Sequence, residues 1–181
     1  MTIMLRNFSL NAALNAVVLG LLLVVWVSVA QADELTEADA APLAAMSDQP
    51  LPTIDGGELT LNDLHGQVVL LDFWASWCGP CRESFPWMNQ VQQRYSDDGL
   101  VIVGVNLDQD TAAARAFLEA VPADFTIAFD SQAQWPEAYG LIGMPSSYLI
   151  DRQGRVRATH TGFHSGRVAD YEASIEQLLA E

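Results

Sequence analysis

From Val68 to Trp74 the chain reads Val-Val-Leu-Leu-Asp-Phe-Trp, apolar at every position but one. A run of that length without polar alternation predicts a strand covered on both faces. Leu100 to Val105 repeats the pattern, and Phe125 to Phe129 gives a shorter third run. Between these runs the period changes. Over Arg82 to Tyr95, Phe85, Met88 and Val91 recur at helical spacing, and Thr111 to Val121 forms a second helical segment; each predicts an amphipathic helix packed on the strands. Pro86 cannot donate to Arg82 and predicts a kink in the first helix. Strands alternating with helices imply a parallel arrangement.

The pattern then becomes local. Ser146 to Ile150 and Arg155 to Thr159 flank Asp151-Arg152-Gln153-Gly154, a turn in which the glycine supplies positive φ, and Arg167 to Ala180 closes the chain as a helix. Glu58 to Leu61 alternates as a short strand ahead of His65-Gly66. No internal repeat is found over residues 51–181, so one α/β domain is expected there.

The first 32 residues follow a different rule. One cation, Arg6, precedes the apolar run Ala16 to Val27, and Ala30-Gln31-Ala32 follows. A charged start, an apolar core and an A-x-A site predict a cleaved export signal. An uncleaved membrane anchor is the alternative, since the apolar stretch extends back towards Leu10 and approaches the roughly 20 residues of a span. Either reading places the rest outside the cytoplasm, in the periplasm or its equivalent, where disulfides persist. Residues 33–50 are rich in Ala, Asp, Glu and Pro and are expected as a loose acidic tether, because so few large apolar residues cannot fold alone.

Charge and composition exclude much. The formal net charge is −15, and all eight cations are arginines. Without lysine, Schiff-base and Walker-type lysine chemistry are out. So acidic a chain repels phosphate backbones, so no nucleic-acid partner is expected.

Two cysteines remain, Cys78 and Cys81, placed where the first apolar strand gives way to the first helix. At that junction the two Cα atoms fall within the roughly 4.4–6.8 Å that a disulfide requires. The pair can therefore close and reopen. Cys78 would sit at the helix N-terminus, where unpaired N–H groups and the helix dipole favour a thiolate, which makes it the expected nucleophile. Cys81, one turn further in, would resolve the mixed disulfide formed on Cys78. Pro80 presets the first helical turn, and Gly79 leaves room for a substrate backbone. An inert structural disulfide is disfavoured, because so short a loop constrains the unfolded chain little.

The segment Val69-Leu70-Leu71-Asp72-Phe73-Trp74-Ala75-Ser76-Trp77-Cys78-Gly79-Pro80-Cys81 resembles the active-site segment of thioredoxin-like proteins. The export signal, the Gly57-Glu58-Leu59-Thr60-Leu61 stretch and residues 103–130 are more similar to the TlpA/ResA branch, which comprises exported thiol-disulfide oxidoreductases. The resemblance implies a three-layer thioredoxin-like fold, a central mixed sheet with helices on both faces. It also implies a cis-proline facing the cysteines, for which Gly143-Met144-Pro145-Ser146 is the match. Met144 would then offer its backbone to an extended substrate peptide. Trp77 would shield the site beside the substrate.

Two departures bear on mechanism. ResA-like chains commonly carry a glutamate three residues after the second cysteine; here that position is Ser84, and Glu83 points elsewhere on the helix. Asp72 instead matches the buried aspartate of thioredoxin proper. A carboxylate enclosed by apolar neighbours should have a raised pKa, suited to taking the Cys81 proton. The resemblance thus implies disulfide exchange with protein thiols and no cofactor beyond the cysteines. It also implies a reducing role such as cytochrome c maturation, with electrons from a membrane donor. Two rivals stand beside it. One is a zinc or copper site using Cys78, Cys81, His160 and His164, although lone histidines, His65 included, are usually surface groups. The other is a redox-inert peptide-binding module.

Overall fold

The computed structural model describes residues 34–181, so the expectation of a signal or anchor over 1–32 lies outside the described residues. Residues 34–181 lie within one compact unit. A two-stranded antiparallel pair, β1 (Leu51–Pro52) and β2 (Glu58–Leu59), precedes the main sheet. That sheet contains β3 (Val68–Trp74), β4 (Leu100–Asn106), β5 (Thr126–Phe129), β6 (Ser146–Ile150) and β7 (Val156–Thr161), in the order β5-β4-β3-β6-β7. The β3–β4 and β4–β5 pairs are parallel, while β6 and β7 run antiparallel. Crossovers through α1 (Gly79–Tyr95) and α2 (Thr111–Ala120) make the parallel half. The turn at Gly154, φ +78°, makes the antiparallel half. This is the thioredoxin-like mixed sheet.

Alternation along β3 sorts two cores. Val68, Leu70 and Trp74 face α1, α2 and α4 (Val168–Ala180), where Trp74, Phe85 and Phe117 lie within 5.2 Å of one another by ring centroid. Val69, Leu71 and Phe73 face the other way, against Leu51, Leu61, Tyr148 and Trp135 of α3 (Gln134–Ala138). Truncating Trp74 or Phe85 to alanine would cost about 3–5 kcal/mol each at such fully buried sites. Gly104, the β4 partner of Asp72, leaves room for this packing, since a Cβ there would meet the Phe125, Ile127 and Trp74 side chains at 3.0–3.2 Å.

Helix α1 is continuous from Gly79 to Tyr95 with Pro86 inside it. Two local expectations change. Strand β7 begins one residue later than the pattern suggested and extends to Thr161, which brings His160 into the sheet. Helix α3 carried no periodic signal of its own.

Residues 34–50 are not a loose tether. Their backbone joins β7 and the turn before it, with Thr36 N–H on Arg157 C=O, Val156 N–H on Pro42 C=O and Ala44 N–H on Gly154 C=O, each at 2.8 Å. Leu35 and Ala44 are buried. The segment lacks the apolar area to fold alone, but an edge strand offers it unpaired backbone groups.

Candidate active site

The β3–α1 junction fixes the cysteines. Cys78 is the N-cap of α1 in extended conformation, and its sulfur accepts the Cys81 backbone N–H at 3.2 Å. Cys78 and Cys81 are joined as a disulfide, with Cα atoms 5.3 Å apart. Cys78 is 5% exposed and Cys81 fully buried, so the first is the one a partner reaches. The Cys81 N–H and the N-terminus of a 17-residue helix both lie at the Cys78 sulfur. Pro80 occupies the first turn of α1, and Gly79 is exposed, with nothing within 4 Å of the Cβ it lacks.

The loop ahead of Cys78 is tied down from β4. Ser76 donates its backbone N–H at 2.9 Å and its hydroxyl at 3.0 Å to the Asp108 carboxylate, which also accepts from Asn106 Nδ2 at 2.9 Å. Leu107 N–H bonds to Trp74 C=O and Cys78 N–H to Ala75 C=O. Trp77, held in that loop, is 71% exposed beside the disulfide.

The Met144–Pro145 peptide is cis. Pro145 is buried, its carbonyl accepting Gly162 N–H at 2.8 Å, while Met144 packs against the core that contains both cysteines.

Beneath α1 lies the acid. Asp72 is 1% exposed and shares the sheet face of Leu70 and Trp74, which is the face of Cys81. Ser147 donates its hydroxyl to Asp72 Oδ1 at 2.7 Å, while Oδ2 is buried without a hydrogen bond. Burial pushes the Asp72 carboxyl up to about 7, against the smaller downward pull of Ser147. A cavity of about 10 Å³ borders Asp72, Ser84, Pro145, Ser147, His160 and Tyr171, which is room for one water. Ser84, one turn from Cys81, donates to the Cys81 carbonyl at 3.0 Å, whereas Glu83 is exposed.

The structure thus gathers Cys78, Cys81, Asp72, Met144 and Pro145 around one end of α1. His65 and His164 are exposed, but His160 is buried, 8% exposed, contrary to the expectation of a surface group. Its place follows from the β6–β7 register, which sets it opposite Ser147. Among the described residues no three His, Cys, Asp or Glu side chains converge as metal ligands. Ser147 and Asp108 were not singled out as site residues by the sequence, and His160 only as a ligand of the rival metal site. Only the polar character of Ser147 within a strand-like stretch offered a signal.

Comparison with known proteins places this arrangement. The Redoxin family model matches residues 36–175. ResA thiol-disulfide oxidoreductases are similar: that of Geobacillus thermodenitrificans is 33% identical over 150 residues, 82% of this chain and 86% of its own. That of Bacillus subtilis is 30% identical over 130 residues, 72% and 70%. Against the Bacillus thuringiensis ResA, 33% identical over 103 residues, the match takes in 57% of this chain and 60% of the relative's length. Among solved structures, the thiol:disulfide interchange protein DsbE from Chlorobium tepidum superposes with a TM-score of 0.74 at 49% identity, covering 77% of this chain and 96% of the other. The chain belongs to the Redoxin family, among the thiol-disulfide oxidoreductases of the ResA type.

Proposed function

We propose that this chain reduces disulfides of client proteins outside the cytoplasm, with Cys78 as nucleophile, Cys81 as resolving thiol and Asp72 as the base for Cys81. The observation that carries the reading is a disulfide whose outer sulfur caps a helix while its inner partner shares a buried face with a carboxyl group of raised pKa. The Cys78 thiolate attacks a client disulfide, forming a mixed disulfide and expelling one client thiolate. Asp72 takes the Cys81 proton, Cys81 attacks Cys78 Sγ, and the second client sulfur departs. Two electrons pass from the dithiol to the client, so no further cofactor is needed for this half-reaction.

Met144 and the exposed Trp77 would receive an extended client segment through backbone and apolar contacts. Cys-Gly-Pro-Cys resembles reductants, and kinship with ResA and DsbE proteins supports service to apocytochrome c or comparable thiols, recharged by a membrane electron donor. The expected signal peptide or membrane anchor over 1–32 supports the extracytoplasmic setting; among the described residues no helix is long and apolar enough to cross a membrane.

Reduction of insulin by the dithiol form, with titration against glutathione, tests the reading. A potential near about −270 mV fits a reductant, and one near about −120 mV would indicate an oxidant. Cys81→Ser should accumulate a mixed disulfide on Cys78, visible by mass spectrometry. No insulin reduction would favour the redox-inert binding module.

A further inference from the structure

Asp72, Ser147 and His160 stand in one lateral row across three adjacent strands, Asp72 opposite Ser147 in the β3–β6 pair and Ser147 opposite His160 in the β6–β7 pair. All three border the same one-water cavity, together with Ser84. The row crosses an otherwise apolar face from the centre of the sheet to its last strand. Asp72 Oδ2, buried and without a hydrogen bond, is the polar atom left to meet a water there.

We propose that His160 is a positioning residue of the resolving step, sharing with Asp72, through one water in this cavity, the proton that Asp72 takes from Cys81. The proposal rests on the disulfide-exchange reading and adds the route the proton follows. In the step, Cys81 S–H loses its proton to the Asp72 carboxylate and the Cys81 thiolate attacks Cys78 Sγ. The bond from Cys78 to the client sulfur breaks, the client leaves as a thiolate, and the Cys78–Cys81 bond forms. The proton on Asp72 is then shared with the water and the imidazole. Ser147 holds Asp72 Oδ1 and so directs Oδ2 towards the cavity.

The groups facing this row are few. Helix α1 contributes Cys81 and Ser84, and β4 presents Gly104 opposite Asp72. Helix α4 contributes Tyr171, its ring 4.8 Å from that of His160. Beyond Tyr171 lie Arg167, 5.5 Å from that ring and 3.4 Å from Asp170, and Glu172, which accepts the Trp87 indole N–H. None of these carries a charge into the cavity lining.

The test uses the full-length dithiol mixed with 5,5′-dithiobis(2-nitrobenzoate) by stopped flow between pH 5.5 and 9. The first thionitrobenzoate marks formation of the mixed disulfide on Cys78, and the second marks attack by Cys81. His160→Gln should move the midpoint of the second phase upward, slowing it about tenfold on the acid limb and leaving the alkaline plateau unchanged. Ser147→Ala should shift it in the same direction, and stands in if the first variant does not fold. In an Asp72→Asn background His160→Gln should add nothing. An unmoved midpoint, an equal loss at every pH, or a further loss in that background would overturn the proposal. A parent protein that never releases the second chromophore would instead overturn the exchange reading itself.

Discussion

Ser76 gives both of its donors to Asp108, 32 residues away and just beyond β4, so the loop carrying Trp77 and Cys78 is clamped to the segment that follows β4. The clamp holds the sulfur where the helix begins. Asp108→Ala leaves the Ser76 and Asn106 N–H donors without their acceptor and should cost about 2 kcal/mol by urea unfolding. A looser loop misplaces the nucleophile, so insulin reduction should fall about tenfold while the fold persists. Unchanged turnover would show that Cys78 is placed by α1 alone.

Asp72 sets a pH dependence of stability that can be isolated. Its ordinary carboxyl value is 3.8 and its folded value about 7. Below the lower value both folded and unfolded chains hold the proton. Between the two, the unfolded chain ionises while the folded protein does not, so stability falls as pH rises and levels off above about 7. The full span is about 4 kcal/mol, at about 1.4 kcal/mol for each pKa unit. Asp72→Asn should therefore be more stable than the parent at pH 8 and nearly equal at pH 4. Asp55, Asp63 and Asp151 are shifted downward and act alike in both proteins, so the difference reads Asp72. Parallel curves would place Asp72 in water.

Arg157 ties three distant parts of the chain together. Its guanidinium reaches Glu181 at 2.7 and 2.9 Å, the buried Asp151 at 3.4 Å and the Thr36 carbonyl at 2.5 Å. Arg157→Met should cost about 2 kcal/mol, because it takes the donors from the Thr36 carbonyl and the Glu181 carboxylate, while Asp151 keeps Arg155 at 2.9 Å. It should also release residues 34–45, which faster amide exchange at Thr36 and Ala44 would report. Unaltered exchange there would mean that the backbone bonds to β7 hold the segment alone.

What was legible in the sequence depended on how local each cause is. The β3 and β4 runs declared themselves because both faces of those strands are buried, so no polar alternation interrupts them. Cys78 and Cys81 were legible from spacing at a strand-to-helix boundary, and Asp72 because an acid within an apolar run is carried into the core with its neighbours. His160 was not, since its burial is decided by the register opposite Ser147 and by Tyr171 on α4. Asp108 escaped notice because its partner is 32 residues distant. The 34–50 segment misled because Leu35 and Ala44 find an apolar surface only after β7 has formed.

The start of α1 should hold Cys78 as a thiolate at neutral pH. The rate of iodoacetamide alkylation of Cys78 in the reduced chain, followed from pH 4 to 10 with Cys81→Ser to keep the signal single, tests it most directly. The expected titration has its midpoint below about 7.5. A midpoint near 8.5, roughly the value of an ordinary thiol, would contradict it.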